Sequence, residues 1–211
     1  MSKPGYMTYR NYSYTDLIEM PSQKRREFFP KISGIKNAVI IGTQDQNGAT
    51  NASLFHSLTH IGSNPPLLGL VFRPLTVERH TYENIKEGGY FSINWIPVSD
   101  IDAAHQCSAK YPKGISEFEA TNRQPEFSED IPVPYWPDAP VRVGLSYEEE
   151  HLIAANDTIL LIGKVQELRI HDQLLDADGL PDFSDLPVAL VNGLETYYTQ
   201  KFIGRKPYAR P

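Results

Sequence analysis

The stretch from Ala49 to Asn94 constrains the fold of this chain more than any other. It opens with an alternating segment, Ala49–Ile61, and breaks at Asn64-Pro65-Pro66. It resumes as the apolar run Leu67–Phe72, crosses a basic loop, and closes with a short helical pattern and the apolar run Tyr90–Ile96. Alternation with period 2 marks a strand with two different faces, and a Pro-Pro step cannot continue a sheet ladder. Short strands separated by turns fit a small β-barrel or sandwich better than a doubly wound α/β sheet.

The rest of the chain follows the same plan. Asn37–Gln44 reads as a buried strand, and Asp45–Gly48 as a hairpin turn, because Asn-Gly accepts positive φ. Val141–Glu150 and Thr158–Ile170 read as strands joined by a tight segment at Ala155-Asn156-Asp157. Helical patterns cover Thr15–Arg26, stopped or bent at Pro21, then Thr81–Glu87, Asp100–Lys110 and Leu194–Gln200. Thr81 is a plausible cap for its helix, with Gly88-Gly89 past the end. Tyr111–Pro140 reads as a long irregular excursion, Asp172–Leu186 as an acidic loop, and the end of the chain as a basic arm.

A length of 211 residues indicates one domain, with enough chain to bury a core without disulfides or structural metal. The net charge of -6 argues against generic nucleic-acid binding. A single cysteine, Cys107, excludes an intramolecular disulfide and any CxxC site. It lies in a helical pattern and reads as a small packed residue rather than a catalytic thiol. The polar N-terminus lacks a signal-peptide core and no apolar run is long enough to span a bilayer, so a cytoplasmic, soluble protein with no membrane partner is expected.

No GxGxxG, Walker A, GxSxG or HExxH sequence is present. His56 and His60 would suit a metal on a helix, but on one strand they stand about 13 Å apart. Asp45-Gln46-Asn47-Gly48 lacks the closing Glu of a calcium loop.

What remains is a constellation. On a strand running from Ala49 to Ile61, Asn51, Ser53, Phe55 and Ser57 share one face, and Ala52, Leu54, His56 and Leu58 the other. The first face suits a flat polar heterocycle, or it is simply a solvated strand face. Arg73, Arg79, His80 and Thr81 lie between a strand and a helix start, where free N–H groups and the helix dipole favour a phosphate. The other possibility is that both arginines pair with surface carboxylates such as Glu78 and Glu83.

Three segments carry a resemblance: IIGTQDQNGATNASLFHSLTHIGSNPPLLGLVFRP, RHTYENIKEGGYFSIN and EEEHLIAANDTILLIGKV. In this order, over about residues 30–170, the chain resembles the flavin-reductase-like, FMN-binding split-barrel proteins. Where family members often carry Gly-Asp-His before the last strand, this chain has Asn156-Asp157-Thr158. The resemblance implies a mainly β (α+β) single domain, a split barrel of about six antiparallel strands with short flanking helices, and a homodimer. The Tyr111–Pro140 excursion and a C-terminal arm over about residues 192–211 fall outside the common core. It implies FMN with its ring against Asn51, Ala52, Ser53, Leu54 and Phe55, with Ser57 nearby, and its phosphate on Arg73, Arg79, His80 and Thr81. NADH or NADPH would be the electron donor, and free flavin, ferric iron or a partner protein the acceptor. An FMN electron carrier without nicotinamide activity and a non-enzymatic ligand-binding barrel are the alternatives.

Overall fold

The computed structural model describes residues 8–210. Residues 1–7, half of the polar N-terminus discussed above, and Pro211 lie outside the described residues.

In chain order the strands are β1 (Lys36–Asn37), β2 (Val39–Gln44), β3 (Thr50–Phe55), β4 (Thr59–Ser63), β5 (Pro66–Phe72), β6 (Tyr90–Trp95), β7 (Glu126–Phe127), β8 (Pro134–Tyr135), β9 (Val141–Ile153), β10 (Thr158–Ile170), β11 (Leu190–Asn192) and β12 (Thr196–Tyr198). The helices are α1 (Tyr14–Glu19), α2 (Ser22–Ile32), α3 (His80–Gly88), α4 (Ile101–Gln106) and α5 (Glu117–Ala120).

The main sheet is antiparallel, in the order β3-β2-β6-β9-β10-β5-β4. It therefore has seven strands, against an expectation of about six. Its two edges are β3 and β4, yet only residues 56–58 separate them in the chain. That link reaches at most about 14 Å, whereas the edges of a flat seven-stranded sheet would lie about 29 Å apart. The sheet must therefore curl until its edges are neighbours. Because the edges are not paired to each other, the result is a split barrel. Register shifts in β10 at Ile162/Gly163 and Val165/Glu167 help bend the long β9–β10 ribbon.

Strand alternation divides the core in two. Val39 and Ile41 of β2 join Leu70, Phe72, Ile85, Phe91, Ile93 and Leu161 inside the barrel. Ala38 and Ile40 point the other way, onto Ala52, Ile96, Phe118 and Trp136. The excursion contributes Phe118, Trp136 and Ala139 to this second core and is more ordered than expected. It supplies α5, β7 and β8, and Trp136 is fully buried with its indole N–H on Asp100 at 2.8 Å. Gly42 makes this docking possible, because a Cβ there would strike the Pro134 carbonyl and the Ser92 hydroxyl.

Other expectations need correction. The Ala49–Ile61 segment is two strands, because Ser57 leaves the ladder. Its hydroxyl donates to the Val71 carbonyl at 3.0 Å and accepts from the Val71 N–H at 3.1 Å. The N-terminal helix is two helices divided at Pro21, and its cap is Ser13, which forms a capping box with Asp16. The Asp100–Lys110 helix is shorter, a 3-10 turn followed by Ile101–Gln106. The expected helix at Leu194–Gln200 is a hairpin strand instead: Gly193 (φ 75) turns the chain so that Thr196–Tyr198 pairs with β11. β-branched and aromatic residues there prefer the pleated surface that tertiary pairing offers.

Candidate functional site

The site is built where β3 meets α3. Odd positions of β3 face α3 and the barrel interior. The Asn51 side-chain N–H donates to the Thr81 hydroxyl at 3.1 Å, and that hydroxyl donates to Ser53 at 2.9 Å. Phe55 packs edge-on against Phe72, with ring centroids 5.1 Å apart, and Phe72 in turn packs against Tyr82 of α3. Even positions face the second core, where Ala52 is fully buried and Leu54 packs beside it. The alternation expected from sequence thus holds over Thr50–Phe55 and fails at Ser57. The polar face of β3 is neither solvated nor open, because it positions the first turn of α3.

Thr81 was expected to cap α3, but the N-cap is Arg79. Its backbone N–H reaches the Glu83 carboxylate at 3.3 Å, while its guanidinium makes no capping bond. The Arg79 Nε is buried and has no acceptor among the described residues. The surface-pairing alternative also fails among the described residues. Glu78 lies 3.9 Å from His80, Glu83 lies 3.6 Å from Lys113, and neither Arg73 nor Arg79 makes an ion pair. A half-buried arginine without an anion, at the start of a nine-residue helix, is a cradle lacking its charge complement. Arg73 is exposed just beyond β5. The donor set therefore fits a phosphate group. At the other end of the helix, Gly89 (φ 75) closes α3 through its N–H to the Ile85 carbonyl at 2.8 Å.

The environment of one group, His56, and the role of another, Glu117, escaped sequence reasoning. His56, in the break after β3, is held below the usual histidine range by burial and by the charges of Lys36 and Arg73. Glu117 of α5 is 5% exposed, and its Oε2 accepts the Ala52 N–H at 2.9 Å. Burial pushes its carboxyl up, with the Ala52 N–H and the nearby His80 pulling it back down. No spacing in the sequence flags Glu117, since its partner lies 65 positions away. His56 and His60 do not converge: His60 bonds Ser63 at 3.1 Å, and no cluster able to hold a metal exists among the described residues.

Comparison with known proteins supports this architecture. The family described as the flavin reductase like domain matches residues 33–193. A protein of Shewanella frigidimarina NCIMB 400, described as a flavin reductase with a split-barrel domain, superimposes with a TM-score of 0.90 at 36% identity, covering 95% of this chain and 100% of that one. Nitrilotriacetate monooxygenase component B of Bacillus cereus shares the fold at 19% identity and a TM-score of 0.82, over 95% of this chain and 100% of its own. The Bacillus subtilis (strain 168) protein YwrF is 28% identical over 144 residues, 65% of this chain and 70% of its own length.

Proposed function

The chain belongs to the flavin reductase like family, and from that premise we propose that it is an FMN-binding oxidoreductase that takes hydride from NADH or NADPH and passes electrons to an acceptor. The observation that carries this reading is the buried Arg79 Nε without an acceptor, beside the free N–H groups of the α3 N-terminus. Bound FMN supplies the redox chemistry. The chain holds it: Arg79 and the first turn of α3 take the phosphate, with Arg73 adding charge and His80 a ring nitrogen. Asn51, Ser53 and Thr81 fix that turn through their hydrogen bonds. The unpaired edge of β3 offers oriented N–H donors to a heterocycle that gains negative charge on reduction. Cys107 takes no part, being 2% exposed with its thiol pushed up to about 12 by burial.

A homodimer forms part of the same proposal. Leu152, Ile153 and Leu168 on the β9–β10 ribbon are exposed apolar residues that a second copy would cover. We place the protein in the cytoplasm; no helix among the described residues is long and apolar enough to cross a membrane.

The test is a visible spectrum of protein incubated with FMN and desalted. Retained bands near ~370 and ~450 nm that bleach on anaerobic addition of NADH or NADPH support the proposal. Retained bands that do not bleach point to an electron carrier fed by another protein. Failure to retain flavin, together with no turnover of added FMN, refutes both.

A further inference from the structure

β3 is an edge strand, so half of its backbone groups face away from β2. The Ala52 N–H is one of these, because it bonds Glu117 rather than β2. Antiparallel alternation then places the Leu54 N–H on the same free edge, about 7 Å further along. Outside the sheet ladder, the Leu54 N–H meets no backbone acceptor among the described residues. The edge is therefore half capped and half open, and α5 makes the cap.

That cap is firmly seated. Ser116, just before α5, shares a hydrogen bond with Thr50 at 2.7 Å. Phe118 is fully buried with its ring centroid 5.5 Å from that of Trp136. Thr121 bonds back to the Glu117 carbonyl at 2.7 Å. Arg123 binds Asp100, the same carboxylate that accepts the Trp136 indole N–H. Capping a strand edge does not require a charge, since a glutamine carbonyl would accept the same N–H. Burying an ionisable carboxyl, held by the Ala52 N–H and its own backbone N–H, is costlier than burying an amide, so its presence calls for a different explanation. The titratable groups facing it are His80 from α3 and the Cys107 thiol from the end of α4.

We propose that Glu117 is a positioning residue for the flavin: by occupying the Ala52 amide it fixes the polar edge of the ring against the Leu54 amide, and it holds a carboxylate beside the ring. This rests on the function proposed above, and it gives the excursion a role in that site. A neighbouring negative charge disfavours the reduced, anionic flavin relative to the oxidised form, so Glu117 makes bound FMN harder to reduce.

The test uses the FMN-loaded full chain and its Glu117→Gln variant. At about pH 8 the variant should favour reduced over oxidised FMN by about tenfold more than the wild type, a rise of about 30 mV for a two-electron couple. The difference should vanish as the pH falls far enough to protonate Glu117. In the wild type, amide NMR on adding FMN should show Leu54 shifting strongly and Ala52 little. Wild-type protein that binds FMN, with an unchanged potential in the variant or with Ala52 as the amide that shifts, overturns the role of Glu117 and leaves the flavin assignment standing. Wild-type protein that binds no flavin overturns the flavin assignment itself. If Glu117→Gln does not fold, the amide shifts of the wild type decide alone.

Discussion

Arg79→Met is the most revealing single change in this protein. It keeps the length and apolar stem of the side chain and removes the guanidinium. Helix capping is untouched, because Arg79 contributes only its backbone N–H to Glu83 at 3.3 Å. No ion pair is lost among the described residues, and the buried Nε has no acceptor to lose. A buried donor without an acceptor carries a penalty of about 1–3 kcal/mol, so its removal should leave the apo protein as stable or more stable. For a chain of this size each kcal/mol is about 2–4 °C in Tm. FMN binding should move the opposite way. A hydrogen bond to a charged group is worth about 1.5–3 kcal/mol, so Kd should rise about 10- to 150-fold. Riboflavin, which lacks the phosphate, should bind the wild type more weakly than FMN, and the two should bind the variant nearly alike. The assay pairs thermal melts of apo protein with titration of flavin fluorescence. An unchanged FMN affinity in a folded variant would refute the phosphate cradle, and so would a melting point lowered by several degrees.

Three further outcomes follow from the structure. Gly163→Ala should destabilise the protein by about 1–3 kcal/mol in a chemical melt, because the new Cβ would lie 2.5 Å from Cζ of the fully buried Phe91; wild-type stability would mean the β10 bulge gives way freely. Cys107 should resist a thiol reagent at about pH 8 in the folded protein and react fully once unfolded, given its burial and raised pKa; rapid labelling of the native state would show that the second core opens. Glu117 titrates above its ordinary range when folded, so its contribution is fully present below the unfolded pKa and is lost as the pH rises through the folded one. The melting point of Glu117→Gln relative to wild type should therefore climb from about pH 4 upward, and a flat difference would mean the carboxyl is not desolvated.

The parts of the fold legible in the sequence are those written by local rules. The strand Val39–Gln44, buried through Thr43, the Asp-Gln-Asn-Gly turn and the paired strands around Ala155-Asn156-Asp157 each declare themselves through period, β-branching or turn chemistry. The Arg-His-Thr helix start is local too, which is why the beginning of α3 was readable. Its cap was mistaken because Thr81 turns away to Ser53 and Asn51, partners about thirty positions distant. Thr196–Tyr198 was mistaken for the same reason: its partner strand β11 settles what helical spacing suggested otherwise.

Only the tertiary structure decided the rest. Closure of the barrel follows from three residues having to join the two edges of one sheet, and that is visible only once the strand order is known. That same closure draws Ser57 onto Val71, away from the face its alternation assigned. Glu117 reaches Ala52 across 65 positions because Phe118 and Trp136 bury together and carry α5 to the free edge of β3. A residue's period records which way its side chain leaves its own strand. It holds no information about which distant segment pays the desolvation cost of coming to meet it, and in this protein that meeting sets which backbone groups along the edge of β3 stay free.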